Sequence, residues 1–138
     1  MIKKKILRTD RIREIKGGFS FIPHRFLTEG FLSALSQKEM LLYFFLVLVS
    51  DRYGLSFYSY DVICSLLEMC VDEYIEARDG LIKRDLIAFD GTLYQVLDLP
   101  QSPVKSLPMK AGLHSDRGED RAQIATLIQQ SLLEAEGG

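Results

Sequence analysis

Histidine and cysteine are scarce in this chain of 138 residues, with two of each. His24 and His114 stand far apart, and neither has a Cys, Asp or Glu at metal-ligand spacing, which argues against a bound metal. Cys64 and Cys70 are not spaced as a CxxC pair and fall in an apolar helical pattern. They are expected as buried, reduced thiols. Long apolar runs are missing too. The one uninterrupted run, Met40 to Val49, is too short to cross a bilayer and has charged flanks. No apolar run of signal-peptide length follows the basic N-terminus, which predicts a soluble cytoplasmic protein. There is no glycine-rich phosphate cradle, since Gly17-Gly18 reads as a breaker. No Ser or Cys has a nearby base in a nucleophilic arrangement. These absences predict a non-enzymatic protein with no cofactor and no evident small-molecule substrate.

What is present is an ordinary globular composition, 47% hydrophobic and 26% charged, enough for a proper core. The net charge of −2 hides an asymmetry. Residues 1–16 carry Lys3, Lys4, Lys5, Arg8, Arg11, Arg13 and Lys16 against Asp10 and Glu14. A basic arm on an acidic body suits a polyanionic partner, although a solvated mixed-charge terminus would look the same. The expected organisation is a basic arm over 1–18, a folded domain over 19–99, a linker over 100–118, and an amphipathic helix over 119–136. The linker follows from Pro100, Pro103, Pro108, Gly112 and Gly118. The last helix follows from Ile124, Leu127, Ile128 and Leu132 at helical spacing. Its stripe is too narrow to fold alone, so it is expected to dock, with dimerisation as one outcome.

Within the domain, Phe19 to Ile22 predicts a short edge strand stopped by Pro23. Thr28 to Leu35 predicts a short helix with Phe31, Leu32 and Leu35 inward. Ser36 and Glu39 form a capping box for a helix reaching about Arg52, apolar nearly all round and therefore central to the core. Leu55 to Tyr58 is a strand candidate. Ser59 is expected to cap a helix with Ile63, Leu66 and Leu67 on one face. Asp72 is expected to cap the next, with Tyr74, Ala77, Leu81 and Ile82 inward. Asp90-Gly91 predicts a hairpin joining Leu86–Phe89 to Thr92–Leu97. Tyr53, Phe57, Tyr58 and Tyr60 read as core aromatics with hydroxyls at the surface.

The stretch LSQKEMLLYFFLVLVSDRYG, followed by SYDVICSLLEMCVDEYIEARDGLIKRDLIAF, resembles winged-helix domains of bacterial regulators and replication initiators. It is similar to the N-terminal domain of DnaD-type replication proteins and plasmid initiators. Those domains open with a Leu-Ser-x-x-Glu helix start, here Leu35, Ser36 and Glu39. They close their third helix with Gly-Leu-Ile, where this chain has Asp85-Leu86-Ile87, and Asp tolerates the left-handed conformation such a corner needs. The resemblance spans about Leu35 to Leu99. It implies a mainly α fold with a small β-hairpin, a winged helix-turn-helix with a C-terminal helix, and a third helix placed to enter a DNA groove.

The charges oppose that use. From Ser59 to Asp98 nine acids face three bases, Arg78, Lys83 and Arg84. The outward side of the third helix would carry Asp72, Glu73, Glu76, Asp79 and Lys83, with Arg78 partly outward, and its four acids would be repelled by phosphates. Two readings therefore stand. In the first, double-stranded DNA is held by Lys3, Lys4, Lys5, Arg8, Arg11 and Arg13, with Arg78, Lys83 and Arg84 orienting the third helix, in a transcription regulator or replication accessory factor. In the second, the acidic winged helix docks protein, as a homodimer or on a larger partner, with exposed aromatics as anchors.

Overall fold

The computed structural model of the chain describes residues 2–104, 124 and 127–132. Residues 2–22 form no regular structure beyond a single 3-10 turn at Thr9–Arg11. All are exposed except half-buried Ser20, whose hydroxyl donates to the Leu48 carbonyl at 3.4 Å. The strand expected over Phe19–Ile22 is absent, and both phenylalanines lie in the open. Strand-forming residues need a free edge to pair with. Both edges of this sheet are only two or three residues long.

The helix expected over 28–35 does not form. Helix α1 is a single turn, Arg25–Thr28, and a 3-10 turn follows at Leu32–Ala34. Gly30 lies between them at φ +90°, outside helical space. Phe31 and Leu35 still point inward and are buried. Arg25 donates to the carbonyls of Leu99, Pro100 and Gln101 at 3.3, 2.7 and 3.2 Å. The start of the predicted linker is thus pressed against α1.

Helix α2, Gln37–Val49, opens on the anticipated capping box. The Ser36 amide donates to Glu39 Oε1 at 2.7 Å and the Glu39 amide to Ser36 Oγ at 3.2 Å. The helix stops three residues short of Arg52, because the Ser50 hydroxyl and amide both turn back to the Val47 carbonyl. Leu42, Tyr43, Phe45, Leu46 and Val47 are buried, yet Leu41, Phe44 and Leu48 are exposed. Among the described residues the all-round apolar helix is covered on one side.

Strand β1, Leu55–Ser56, follows a turn in which the Asp51 carboxylate accepts from the Tyr53 and Leu55 amides. Gly54 sits at φ +83°, where a β-carbon would run into the Val96 carbonyl, 3.3 Å from its carbon and closer still to its oxygen. Helices α3 (Tyr60–Leu67) and α4 (Val71–Lys83) come next. The turn between them uses Glu68 at φ 54° and buried Met69. Helix α4 starts two residues before expected. Cys70, not Asp72, holds the cap position, and its amide donates to Glu73 Oε1 at 2.9 Å. Cys70 is exposed and Cys64 half-buried, so neither is the buried thiol expected. Ile63, Tyr74, Ala77 and Leu81 face the core as expected, while Leu66 and Ile82 do not.

After the corner at Asp85 (φ 60°), β2 (Ile87–Phe89) and β3 (Tyr94–Val96) form the hairpin. Ile87 pairs with Val96 and Phe89 with Tyr94. The loop therefore spans Asp90 to Leu93, and the Asp90 carboxylate accepts from the Thr92 and Leu93 amides at 2.8 and 2.7 Å. The sheet order is β1-β3-β2, all antiparallel. A small, mostly helical domain closed by such a sheet is compatible with a winged-helix-like fold in general. Of the predicted C-terminal helix, Ile124 and residues 127–132 are described and helical. Ile124 and Leu127 are exposed, Ile128 and Leu132 half-buried. Its other residues, and most of the 100–118 segment, lie outside the described residues.

Candidate interaction surface

An amphipathic helix beside a hairpin leaves a valley wherever the side chains between them fail to meet. Here α4 and the β2–β3 hairpin enclose a cleft of about 950 Å³ that also takes in the segment Phe57–Tyr60. Its floor is a stack. The Phe89 and Tyr94 rings lie 4.4 Å apart, the Arg78 guanidinium sits 5.2 Å over Phe89 and 5.5 Å over Tyr74, and the Tyr74 and Tyr94 hydroxyls hydrogen-bond. Burial and that hydrogen bond push the Tyr94 hydroxyl's pKa well above the tyrosine range. The floor is thus neutral apart from Arg78, which Asp79 neutralises at 3.2 Å.

The walls are apolar and open to solvent. Phe57 is 67% exposed, Tyr60 56% and Tyr58 40%, so these aromatics do not pack in the core as the sequence suggested. Tyr53 is exposed as well. Of these aromatics Tyr58 lies edge-on to Phe45 at 5.5 Å. Val62, Val71 and Ile75 complete the walls and are exposed. This apolar lining was not anticipated. Its sequence signal is Val71 and Ile75, four residues apart on one side of α4.

Among the described residues no carboxylate lines the cleft itself, whose one charged lining residue is Arg78. Asp61, Asp72, Glu76, Asp79 and Asp90 are each a chain neighbour of a lining residue. The Ser59 hydroxyl holds the Asp61 carboxyl below its ordinary value, and the Leu93 and Thr92 amides do the same for Asp90. Both remain charged well below neutral pH.

The bases expected to meet DNA are divided by the structure. Lys3, Lys4, Lys5, Arg8, Arg11 and Arg13 are all exposed on the arm, with Arg8 paired to Asp10 at 2.8 Å. Lys83 is exposed on the last turn of α4. Arg78 lies in the stack just described. Arg84, 19% exposed, lies 3.5 Å from the Glu39 carboxylate, and its Nε has no hydrogen-bond partner. Arg78 and Arg84 are thus engaged within the fold, while Lys83 and the arm bases are exposed. Among the described residues no group of three or more His, Cys, Asp or Glu is placed to hold a metal, and no helix is long and apolar enough to cross a membrane. Compared with known protein families, with curated proteins and with solved structures, the chain finds no match in any of the three.

Proposed function

We propose that this chain is a winged-helix-like interaction module whose α4–hairpin cleft receives a cationic, aliphatic segment of protein. The carrying observation is the cleft itself, with exposed Phe57, Tyr60, Val71 and Ile75 on a stretch, 59–98, where nine acids stand against three bases. Aromatic anchors in a concave apolar site are the usual energetic centre of a protein interface. A duplex would instead meet repulsion along the face that a winged helix turns toward the groove. The test is titration of tyrosine fluorescence with a short lysine–leucine peptide, since Tyr58 and Tyr60 line the cleft and the chain has no tryptophan. Saturable binding is expected. Reversing Asp72 and Glu76 to Lys should weaken it about tenfold, as two partly exposed charge pairs would. Equal binding by the reversed variant, or no response at all, rejects this reading.

A second reading rests on the arm. Its exposed lysines and arginines favour phosphate contacts, as in a DNA-associated transcription regulator or replication accessory factor. Its test is duplex binding whose salt dependence flattens once the arm lysines are neutralised. An unchanged salt dependence counts against it.

A further inference from the structure

The arm and the cleft are chemically matched. The arm combines seven bases against two acids with a set of bare aliphatics. Ile2 is 93% exposed, Leu7 87% and Ile15 73%, and Ile6 and Ile12 are exposed too. A segment that only neutralised phosphates would need the charges and not the aliphatics. A segment that only filled an apolar site would need the reverse. The body presents the complement of both, an aromatic and aliphatic cleft on a stretch, 59–98, that carries nine acids against three bases.

We propose that the occupant of the α4–hairpin cleft is the basic N-terminal arm of a second copy of this chain. The proposal builds on the protein-docking reading above and names the partner. The arm leaves the body at Ser20, tied to Leu48 on α2, and residues 2–19 lie entirely in solvent. Fully extended, those residues reach roughly 60 Å, more than the width of a small domain. Exchange between two copies places each arm in the other's cleft. Such an interface is two-fold symmetric and closes at the dimer. Once one arm is seated, the second docks at a raised effective concentration, so two shallow contacts make one stable pair.

The test uses full-length chains throughout, with mass in solution read by light scattering across a dilution series. One variant carries Lys3→Glu, Lys4→Glu and Lys5→Glu. Another carries Asp72→Lys and Glu76→Lys. All five positions are exposed, so both variants should fold, which circular dichroism checks. The unmodified chain should be dimeric. Each variant alone should dissociate at concentrations at least about tenfold higher. Mixed, they should reassemble, because the acidic arm of the first meets the basic cleft of the second and the remaining arm and cleft keep their original signs. A chain that stays monomeric, or variants that stay dimeric alone, or a mixture that does not pair, each overturns the proposal. A monomer whose tyrosine fluorescence changes on arm reversal would place the arm in its own cleft and also overturn it. The docking reading is judged separately. If the lysine–leucine peptide still binds with its dependence on Asp72 and Glu76, the cleft stands and only its occupant is wrong.

Discussion

Gly80 on α4 and Glu39 on α2 meet so closely that a β-carbon on the glycine would lie 2.9 Å from the Glu39 carboxyl carbon, with one oxygen nearer still. Glu39 cannot swing aside freely. It is buried, closes the Ser36 capping box and faces Arg84. The glycine therefore sets how near α4 comes to the central helix.

That contact gives a substitution whose sign depends on its neighbour. In a free helix Gly→Ala gains about 1 kcal/mol. Gly80→Ala should instead destabilise by about 1–2 kcal/mol, as the displaced carboxylate loses its cap and its arginine. In a Glu39→Ala background the obstacle is gone, and the same change should stabilise. Urea unfolding of the four proteins in the cycle measures this. Additive effects would show that the two residues do not constrain one another.

Arg84 and Glu39 form an ion pair that is largely removed from water. Breaking such a pair from one side leaves the other charge without compensation. Arg84→Ala should cost about 2–3 kcal/mol, allowing for the remaining exposure. Lys83→Ala, one residue away but exposed, should stay within about 0.5 kcal/mol. Comparable losses at both positions in chemical denaturation would contradict the buried-pair assignment.

Glu68 and Asp85 hold left-handed backbone at φ 54° and 60°. Glu68 closes α3, where its amide donates to Cys64, and Asp85 ends the segment after α4, where its amide donates to Ile82. Glycine meets no steric penalty there. Glu68→Gly should stabilise by about 1 kcal/mol, and Asp85→Gly by less, because a short polar side chain already tolerates this region. Shifts in the urea midpoint at constant slope would confirm it. Destabilisation would mean that the side chains make contacts outweighing the backbone strain.

Much of this architecture is local and could be read ahead of the structure. The Ser36–Glu39 box, the Asp85 corner and the Asp90 turn each depend on residues within four positions of one another. Contacts between distant segments could not be read. Arg84 looks like a surface base until α4 is laid against Glu39. Periodicity cannot reveal which side of α2 is covered when nearly every side chain is apolar. Cys70 is not a capping residue by its own chemistry, and the cap arises because Glu73 reaches back to it. The cleft is not legible in the sequence for a similar reason. Its aromatics come from the β1–α3 segment and the hairpin, which meet only in the folded chain.

The buried hydroxyl pair Tyr74–Tyr94 makes a pH prediction of definite sign. Burial first, and the Tyr74 hydrogen bond second, hold the Tyr94 hydroxyl protonated far above its ordinary 10.0, and burial alone pushes Tyr43 up to about 12. A group that keeps its proton longer when folded gives stability that is complete below the unfolded value. That stability declines as pH rises beyond 10.0 toward the folded values. The chain should thus be insensitive to these tyrosines at neutral pH and unfold on the alkaline side. Tyr74→Phe alone strands the Tyr94 hydroxyl and should cost about 1–2 kcal/mol, whereas Tyr74→Phe with Tyr94→Phe removes both partners and should be nearly neutral. The double variant should also unfold at higher pH than the parent, since one buried ionisation is gone. An alkaline midpoint that does not move would mean that Tyr94 ionises in place, without opening the fold.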